Sequence, residues 1–142
     1  MIDLLDINLW LALVDKRHVH HPLARAYWSQ NGASQFAFCR MTMLGFLRLA
    51  TSLKVVVNPK TNAEAWSIYQ EFRALPNILF LAEPADLETH FQSLTTATAL
   101  PHRLWTDAYL AAFAIASGGR LVSFDADFAR FPGLNFLHLP SS

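Results

Sequence analysis

Three aspartates stand where predicted strands end or a predicted helix begins. Asp6 follows the short apolar run IDLL, Asp125 follows LVSF, and Asp107 begins the apolar segment DAYLAAFAIAS. In an open parallel sheet, ligands bind beyond the carboxyl ends of the strands, where loops and helix N-termini meet. We therefore expect these carboxylates to converge on one edge of a sheet, with Asp127 near enough to join them.

Carboxylates that share a site repel one another, which raises the pKa of at least one of them unless a cation neutralises the charge. Mg²⁺ or Mn²⁺ prefers oxygen ligands and is commonly held by one or two carboxylates directly and by others through water. Such an ion orients a phosphate and activates a bound water. The predicted chemistry is metal-assisted phosphodiester hydrolysis, with Asp6, Asp107 and Asp125 as catalytic metal ligands and Asp127 as a further ligand.

Each of these acids also has a structural interpretation. Asp107 suits the first turn of a helix, with Thr106 as its N-cap, and Asp6 suits a cap between a strand and a helix. Asp125 and Asp127 suit an Asx-turn that caps the next helical segment. The coincidence of all of them at one predicted sheet edge favours a site over independent caps.

Elements of two kinds alternate along the chain and would position these acids. Segments with helical spacing of apolar residues are INLWLALVD, HHPLARAYWSQ, MTMLGFLRLATS, TNAEAWSIYQEFRAL, DLETHFQSLTTAT and DAYLAAFAIAS. Short apolar runs typical of strands are IDLL, QFAFC, ILFL, LVSF and NFLHL. Strands separated by long helical segments imply right-handed crossovers, so the sequence predicts an α/β fold with a mostly parallel sheet.

Composition limits the function classes. The 142 residues carry 11 basic and 11 acidic side chains, which excludes a binder that depends on a broad basic face. Cys39 is the only cysteine, so no intrachain disulfide is possible and a reducing, cytoplasmic setting is expected. No uncharged apolar run reaches the 18 residues of a membrane span. We expect one domain over residues 1–142.

Four stretches resemble a known family in their order and spacing: LLDINLWLAL, HHPLARAYW, MTMLGFLRL and TDAYLAAFAIASGGRLVSFDADF. They are similar to the PIN-domain ribonucleases, specifically the VapC-like toxins of type II toxin–antitoxin modules. The resemblance implies a three-layer PIN-like fold, with a parallel sheet of four to five strands flanked by helices. It also implies Mg²⁺ or Mn²⁺, cleavage of RNA, a homodimer and a cognate antitoxin that inhibits the enzyme.

The resemblance assigns roles by motif and shows one departure. Asp6, Asp107 and Asp125 match the family acids, Asp127 is a plausible fourth, and Asn8 and Thr106 match polar positions that support them. A further family acid, generally a glutamate in the helix that here reads MTMLGFLRL, is replaced by Gly45. Because no acid lies between Asp15 and Glu64, we expect one metal ion rather than two.

Several polar residues are candidates for contact with the substrate. Arg48, one turn beyond Gly45, is expected to reach the site edge and either bind a phosphate or pair with an acid. Arg17 and the histidines of HVHH, His20 among them, are candidates for a local basic patch that guides RNA phosphates. An ordinary polar loop is the alternative for that patch. Thr42 either supports a metal-bound water or caps the following helix.

Two rival functions stay open from the sequence. A metal-dependent phosphohydrolase of a small phosphoester is disfavoured, because such enzymes often carry a second acid two residues after the first and Asn8 occupies that position. A catalytically inactive PIN-like binding module is kept open by Gly45. Finally, Asp3 is expected to be a solvated residue at the start of the first strand.

Overall fold

Five parallel strands form one sheet in the computed structural model, which describes residues 1–31 and 34–140. The strand order is β3-β2-β1-β4-β5, so the first strand of the chain is central. The α/β prediction and the five predicted strands are confirmed. The strands are β1 Ile2–Leu5, β2 Gln35–Phe38, β3 Ile78–Phe80, β4 Arg120–Ser123 and β5 Phe136–His138.

The described residues contain six α-helices between the strands, and some of the helix ends carry recognisable signals. Thr61 and Glu64 form a capping box at the start of α4, and Gly118 ends α6 in the left-handed conformation with φ of 71°. Two 3₁₀ helices occupy His102–Leu104 and Ala126–Arg130. The α-helices are α1 Ile7–Val14, α2 His21–Gln30, α3 Arg40–Ala50, α4 Asn62–Ala74, α5 Leu87–Thr96 and α6 Trp105–Ser117.

Helices cover both faces of the sheet and produce two cores. Because side chains alternate along a strand, Leu5 packs into the core on the side of α1 to α4, whereas Leu4 packs against α5 and α6. Trp10 anchors the first core by stacking on Phe38, with ring centroids 3.8 Å apart. The result is the expected three-layer arrangement. No helix within the described residues is long and apolar enough to cross a bilayer.

The central strand lies at the point where the chain changes direction across the sheet. After β1 the chain crosses to β2 on one side, whereas β4 pairs with β1 on the other side. Leu5 is in register with Val122, so Asp6 and Ser123 leave the sheet side by side. Ligand crevices of parallel sheets form at such a switch point, beyond the carboxyl ends of the strands.

The expectation for Asp3 is wrong, because its side chain is buried, with 1% of its surface exposed. Asp3 lies in register with Arg120, whose Nε and Nη2 donate to its two carboxylate oxygens at 2.9 and 2.8 Å. Tyr27 donates a further hydrogen bond to Asp3, and burial and this bond raise the pKa of Tyr27 above its usual range. The buried charge is therefore paired and hydrogen-bonded, the condition under which burial is tolerated.

Candidate active site

Asp6 occupies the turn between β1 and α1. Its Oδ1 accepts a hydrogen bond from the backbone N–H of Ile7 at 2.8 Å, which makes Asp6 the N-cap of α1. Its Oδ2 accepts the hydroxyl of Ser123 at 2.7 Å. Its own backbone N–H donates to the carbonyl of Val122 at 3.0 Å, which continues the pairing of the two central strands. The cap interpretation and the position at the sheet edge therefore both hold for this residue.

Ser123 is a residue of this site that the sequence reading missed. It ends β4, has 1% of its surface exposed, and accepts a hydrogen bond from the N–H of Asp125 at 3.0 Å while donating to Asp6. One hydroxyl thus links two of the predicted ligands. The sequence signal for Ser123 is a polar residue within the otherwise apolar run LVSF, two residues before Asp125.

Asp125 and Asp127 form the predicted Asx-turn. Oδ1 of Asp125 accepts the N–H of Asp127 at 2.9 Å and so begins the 3₁₀ helix Ala126–Arg130. Oδ2 of Asp127 accepts Nη1 of Arg103 at 3.1 Å in an exposed ion pair. The turn leaves Asp125 beside Ser123 and directs Asp127 toward the segment that precedes α6.

Asp107 lies in the first turn of α6, and the neighbouring acids affect its pKa. The pKa of Asp107 is raised to about 6, first by burial and then by the charges of Asp6, Asp125 and Asp127, against the opposing charge of Arg103. Burial also raises the pKa of Asp6, where the bonds from Ser123 and Ile7 oppose the shift and the charge of Asp125 adds to it. Four carboxylates that the sequence predicted at one edge therefore act on each other there.

The donor set matches a hard divalent cation, because all four side chains offer carboxylate oxygens and two of them are disfavoured as anions. In the described part of the chain, no three His, Cys, Asp or Glu side chains are already grouped closely enough to hold an ion between them.

Gly45, the residue that the sequence resemblance places at a family acid's position, lies against α1. A Cβ atom built on Gly45 would overlap Cδ1 of Ile7 and lie 2.8 Å from its Cγ1. Ile7 directly follows Asp6 and fills the space beside the site. Any side chain at position 45 therefore requires Ile7 to move.

The predicted supporting residues take different places. Asn8 is exposed in the first turn of α1, and Thr106 is exposed in the first turn of α6 beside Asp107. The N-cap interpretation of Thr106 is wrong, because a 3₁₀ turn leads into α6 and Leu104 is the cap residue. Thr42 is fully buried, and its hydroxyl accepts the N–H of Cys39 at 2.9 Å in a capping box at the start of α3.

The predicted substrate contacts have different structural neighbours. The ring of His20 stacks on Phe124, with centroids 4.4 Å apart, and Phe124 stands between Ser123 and Asp125 in the chain. Arg48 lies in the groove between α3 and α4, and Arg17 lines a cavity at the C-terminal end of α1. Of the three, His20 is the residue that the structure places against the loop carrying Asp125.

Comparisons with known proteins agree with this architecture. The family model described as PIN domain matches residues 4–134. The chain is similar to Ribonuclease VapC41 of Mycobacterium tuberculosis, with 38% identity over 137 residues, which cover 92% of this chain and 94% of the relative. It is also similar to Ribonuclease VapC33 of the same organism, with 35% identity over 134 residues, 92% of this chain and 93% of the relative.

Solved structures share the fold at low sequence identity. VapBC2 from Rickettsia felis, solved bound to a DNA fragment from its promoter, superposes with a TM-score of 0.68 at 17% identity, over 97% of this chain and 98% of that one. VapC20 of Mycobacterium tuberculosis, described as a toxin that cleaves the Sarcin-Ricin loop, superposes with a TM-score of 0.63 at 16% identity, over 93% and 98% of the two chains.

Proposed function

The chain belongs to the PIN-domain family, and from that premise we propose that it is an endoribonuclease, the toxin of a toxin–antitoxin pair. The observation that carries the proposal is the mutual effect of Asp6, Asp107 and Asp125 at the switch point of the sheet. The relatives that this chain matches over most of their length are named ribonucleases. The VapC names and the VapBC structures support an antitoxin partner.

We propose that Asp6, Asp107 and Asp125 hold one Mg²⁺ or Mn²⁺ ion, with Asp127 acting through water. When bound, the ion would orient the scissile phosphate and lower the pKa of a bound water, which supplies the nucleophile. The oxygen-only donor set and the raised pKa of Asp107 support this assignment. The space that Ile7 takes beside Gly45 supports one ion rather than two.

The remaining groups of the site orient these ligands. The N–H of Ile7 and the hydroxyl of Ser123 each hold one oxygen of Asp6, so the carboxylate has a fixed plane. The same hydroxyl accepts the N–H of Asp125 and so ties the loop after β4 to the end of β1. We assign His20 to the substrate side of this loop, because its ring stacks on Phe124. Such preorganisation is what sites that stabilise developing charge require.

The experiment that tests the proposal is a cleavage assay on the purified chain, separated from any antitoxin. Structured RNA is incubated with Mg²⁺, Mn²⁺ or chelator, beside Asp6→Asn and the matched surface variant Asp86→Asn. We expect metal-dependent cleavage that falls at least a hundredfold in Asp6→Asn and is unchanged in Asp86→Asn. Sedimentation of the same sample tests whether the chain is a homodimer.

Two results would contradict this function. Cleavage of a small phosphoester but not of RNA would assign the site to a phosphohydrolase. No cleavage with any metal, together with unaffected growth when the chain is expressed, would assign it to a binding module that has lost catalysis. Binding of Mn²⁺ measured by calorimetry separates these results, since an intact site binds the ion whether or not a substrate is found.

A further inference from the structure

A cavity of about 390 Å³ opens beside the C-terminal half of α1 and the segment that follows α3. Its inner surface is apolar and its outer surface carries exposed polar and basic side chains. The inner residues are Leu11, Val14, Ala50 and Val56, and the outer residues are Asp15, Lys16, Arg17, Asn58 and Lys60.

The basic side chains of this cavity form no close ion pair within the described residues, although the charge of Lys60 acts on the exposed Glu64. The ion pairs found within residues 1–31 and 34–140 are His90 with Asp86, Arg103 with Asp127 and Arg120 with Asp3, and none includes a cation of the cavity. The single acid of the cavity, Asp15, accepts the backbone N–H of Arg17 at 3.0 Å. In a chain whose charges cancel, these three cations form a local positive excess that attracts an anion.

The cavity and the carboxylate site lie along the same helix. Asp6 caps the N-terminus of α1, and the cavity residues Leu11 and Val14 follow it by five and eight residues, which is roughly 8–12 Å at the rise of an α-helix. A nucleic-acid strand covers that distance in a few nucleotides, since each strand of a stacked duplex has a phosphate about every 3.4 Å. The separation of the two sites along the helix thus corresponds to about three or four nucleotides of a strand.

We propose that this cavity binds a phosphate of the substrate RNA a few nucleotides from the bond that is cut, with the attached sugar or base against the apolar inner surface. The inference rests on the proposed ribonuclease function. Arg17 can hold two phosphate oxygens at once, and Lys16 and Lys60 act as point charges. An apolar surface with a few convergent cations suits a nucleotide better than a free inorganic anion.

Helix stabilisation accounts for only part of this arrangement. Lys16 and Arg17 follow the C-terminus of α1, where positive charge complements the helix dipole. Lys60 comes from a different segment, fixed beside the cavity by its backbone N–H, which donates to the carbonyl of Ala50 at 2.9 Å. A ligand explains why a third cation is held at the same opening.

RNA binding without hydrolysis tests the proposal. A fluorescent single-stranded RNA is titrated with the full chain in chelator at several salt concentrations. Lys60→Ala is expected to bind about 3- to 10-fold more weakly, whereas Lys54→Ala, in the same segment but outside the cavity, changes affinity by less than about twofold. The triple variant Lys16→Ala, Arg17→Ala, Lys60→Ala should reduce the salt slope by about 0.7, the contribution of one phosphate contact on a single strand.

Further variants make the outcome decisive. Lys60→Arg keeps the charge and should keep the affinity for RNA. Weaker RNA binding by Lys60→Arg would overturn the proposal. Equal effects of Lys60→Ala and Lys54→Ala on RNA binding would overturn it too. A triple variant that binds RNA normally but loses binding to a poly(Glu) peptide would assign the cavity to an acidic partner instead. If the wild type cuts RNA and the triple variant binds and cuts it equally well, only the cavity assignment fails and the ribonuclease function stands.

Discussion

The hydroxyl of Ser123 donates a hydrogen bond to Oδ2 of Asp6 at 2.7 Å, across the boundary between two adjacent parallel strands. The hydroxyl oxygen of Ser123 in turn accepts the N–H of Asp125, so one buried hydroxyl sets the orientation of one proposed ligand and the start of the loop that carries another. The relationship depends on the register of β1 and β4 and on a serine as the last residue of β4.

Ser123→Ala should impair the site more than the fold. Removing the hydroxyl leaves one oxygen of Asp6 and the N–H of Asp125 without this partner, which costs about 1–3 kcal/mol of stability. We expect RNA cleavage to fall about tenfold and the affinity for Mn²⁺ to fall with it, measured by gel assay and by calorimetry. The exposed residue Ser93 provides the control, since Ser93→Ala should change neither; equal activity of the two variants would refute a positioning role for Ser123.

The raised pKa of Asp107 predicts that its ionised carboxylate destabilises the metal-free folded protein above about pH 6. Because the pKa of Asp107 is about 6 when folded and about 3.9 in an unfolded chain, the folded state holds the proton more tightly. Stability therefore falls as the pH rises from about 4 through 6. Asp107→Asn should be more stable than the wild type by about 1–2 kcal/mol above pH 6.5 and equally stable below pH 3.5, allowing for solvent screening.

Urea unfolding in chelator between pH 3.5 and 7.5 measures this difference. Glu71→Gln removes an exposed acid on α4 and serves as the control, with no comparable dependence on pH. A constant difference between wild type and Asp107→Asn across this range would show that burial and the neighbouring carboxylates do not raise the pKa of Asp107.

Gly45→Glu should not restore a family acid by itself, because the new side chain collides with Ile7. We expect this variant to lose about 1–3 kcal/mol of stability through overpacking. Adding Ile7→Ala makes room while keeping the backbone N–H that binds Asp6, so the double variant should regain stability and bind Mn²⁺ more tightly than the wild type.

The double variant Gly45→Ala with Ile7→Ala is the control, because it changes the volume beside the site without adding a carboxylate. Urea unfolding and Mn²⁺ calorimetry are the measurements for both pairs. Tighter Mn²⁺ binding in the alanine pair as well would mean that space, and not the added carboxylate, controls the affinity. A stable Gly45→Glu single variant would contradict the steric account.

Asp3→Ala should destabilise the fold without changing the chemistry of the site. It removes the buried partner of Arg120 at the start of β1, at the opposite end of that strand from Asp6, and the expected cost is roughly 3 kcal/mol. Asp86→Ala, which breaks the exposed pair with His90, should cost less than about 1 kcal/mol. Thermal unfolding measures both; cleavage per folded molecule at low temperature should equal that of the wild type.

Periodicity and apolar runs were sufficient to predict all five strands and six helices. These signals are local: the alternation of buried residues, the capping box at Thr61 and the glycine after α6 all act within a few residues. The start of α6 was predicted two residues late, because the 3₁₀ turn at His102–Leu104 lacks a distinct sequence signal and shifts the cap from Thr106 to Leu104. Local patterns fix the type of an element more firmly than its ends.

By itself, the sequence determined the fold class and the meeting of Asp6, Asp107 and Asp125 at one sheet edge, because residues that follow parallel strands share that edge with the first turns of the helices that lead back into the sheet. Only the tertiary structure decided what depends on register and on contacts between distant segments. Pairing of β1 with β4 buries Asp3 against Arg120 and joins Ser123 to Asp6. Pairings of residues 117 positions apart leave no local pattern, so they follow from the packing of the whole chain.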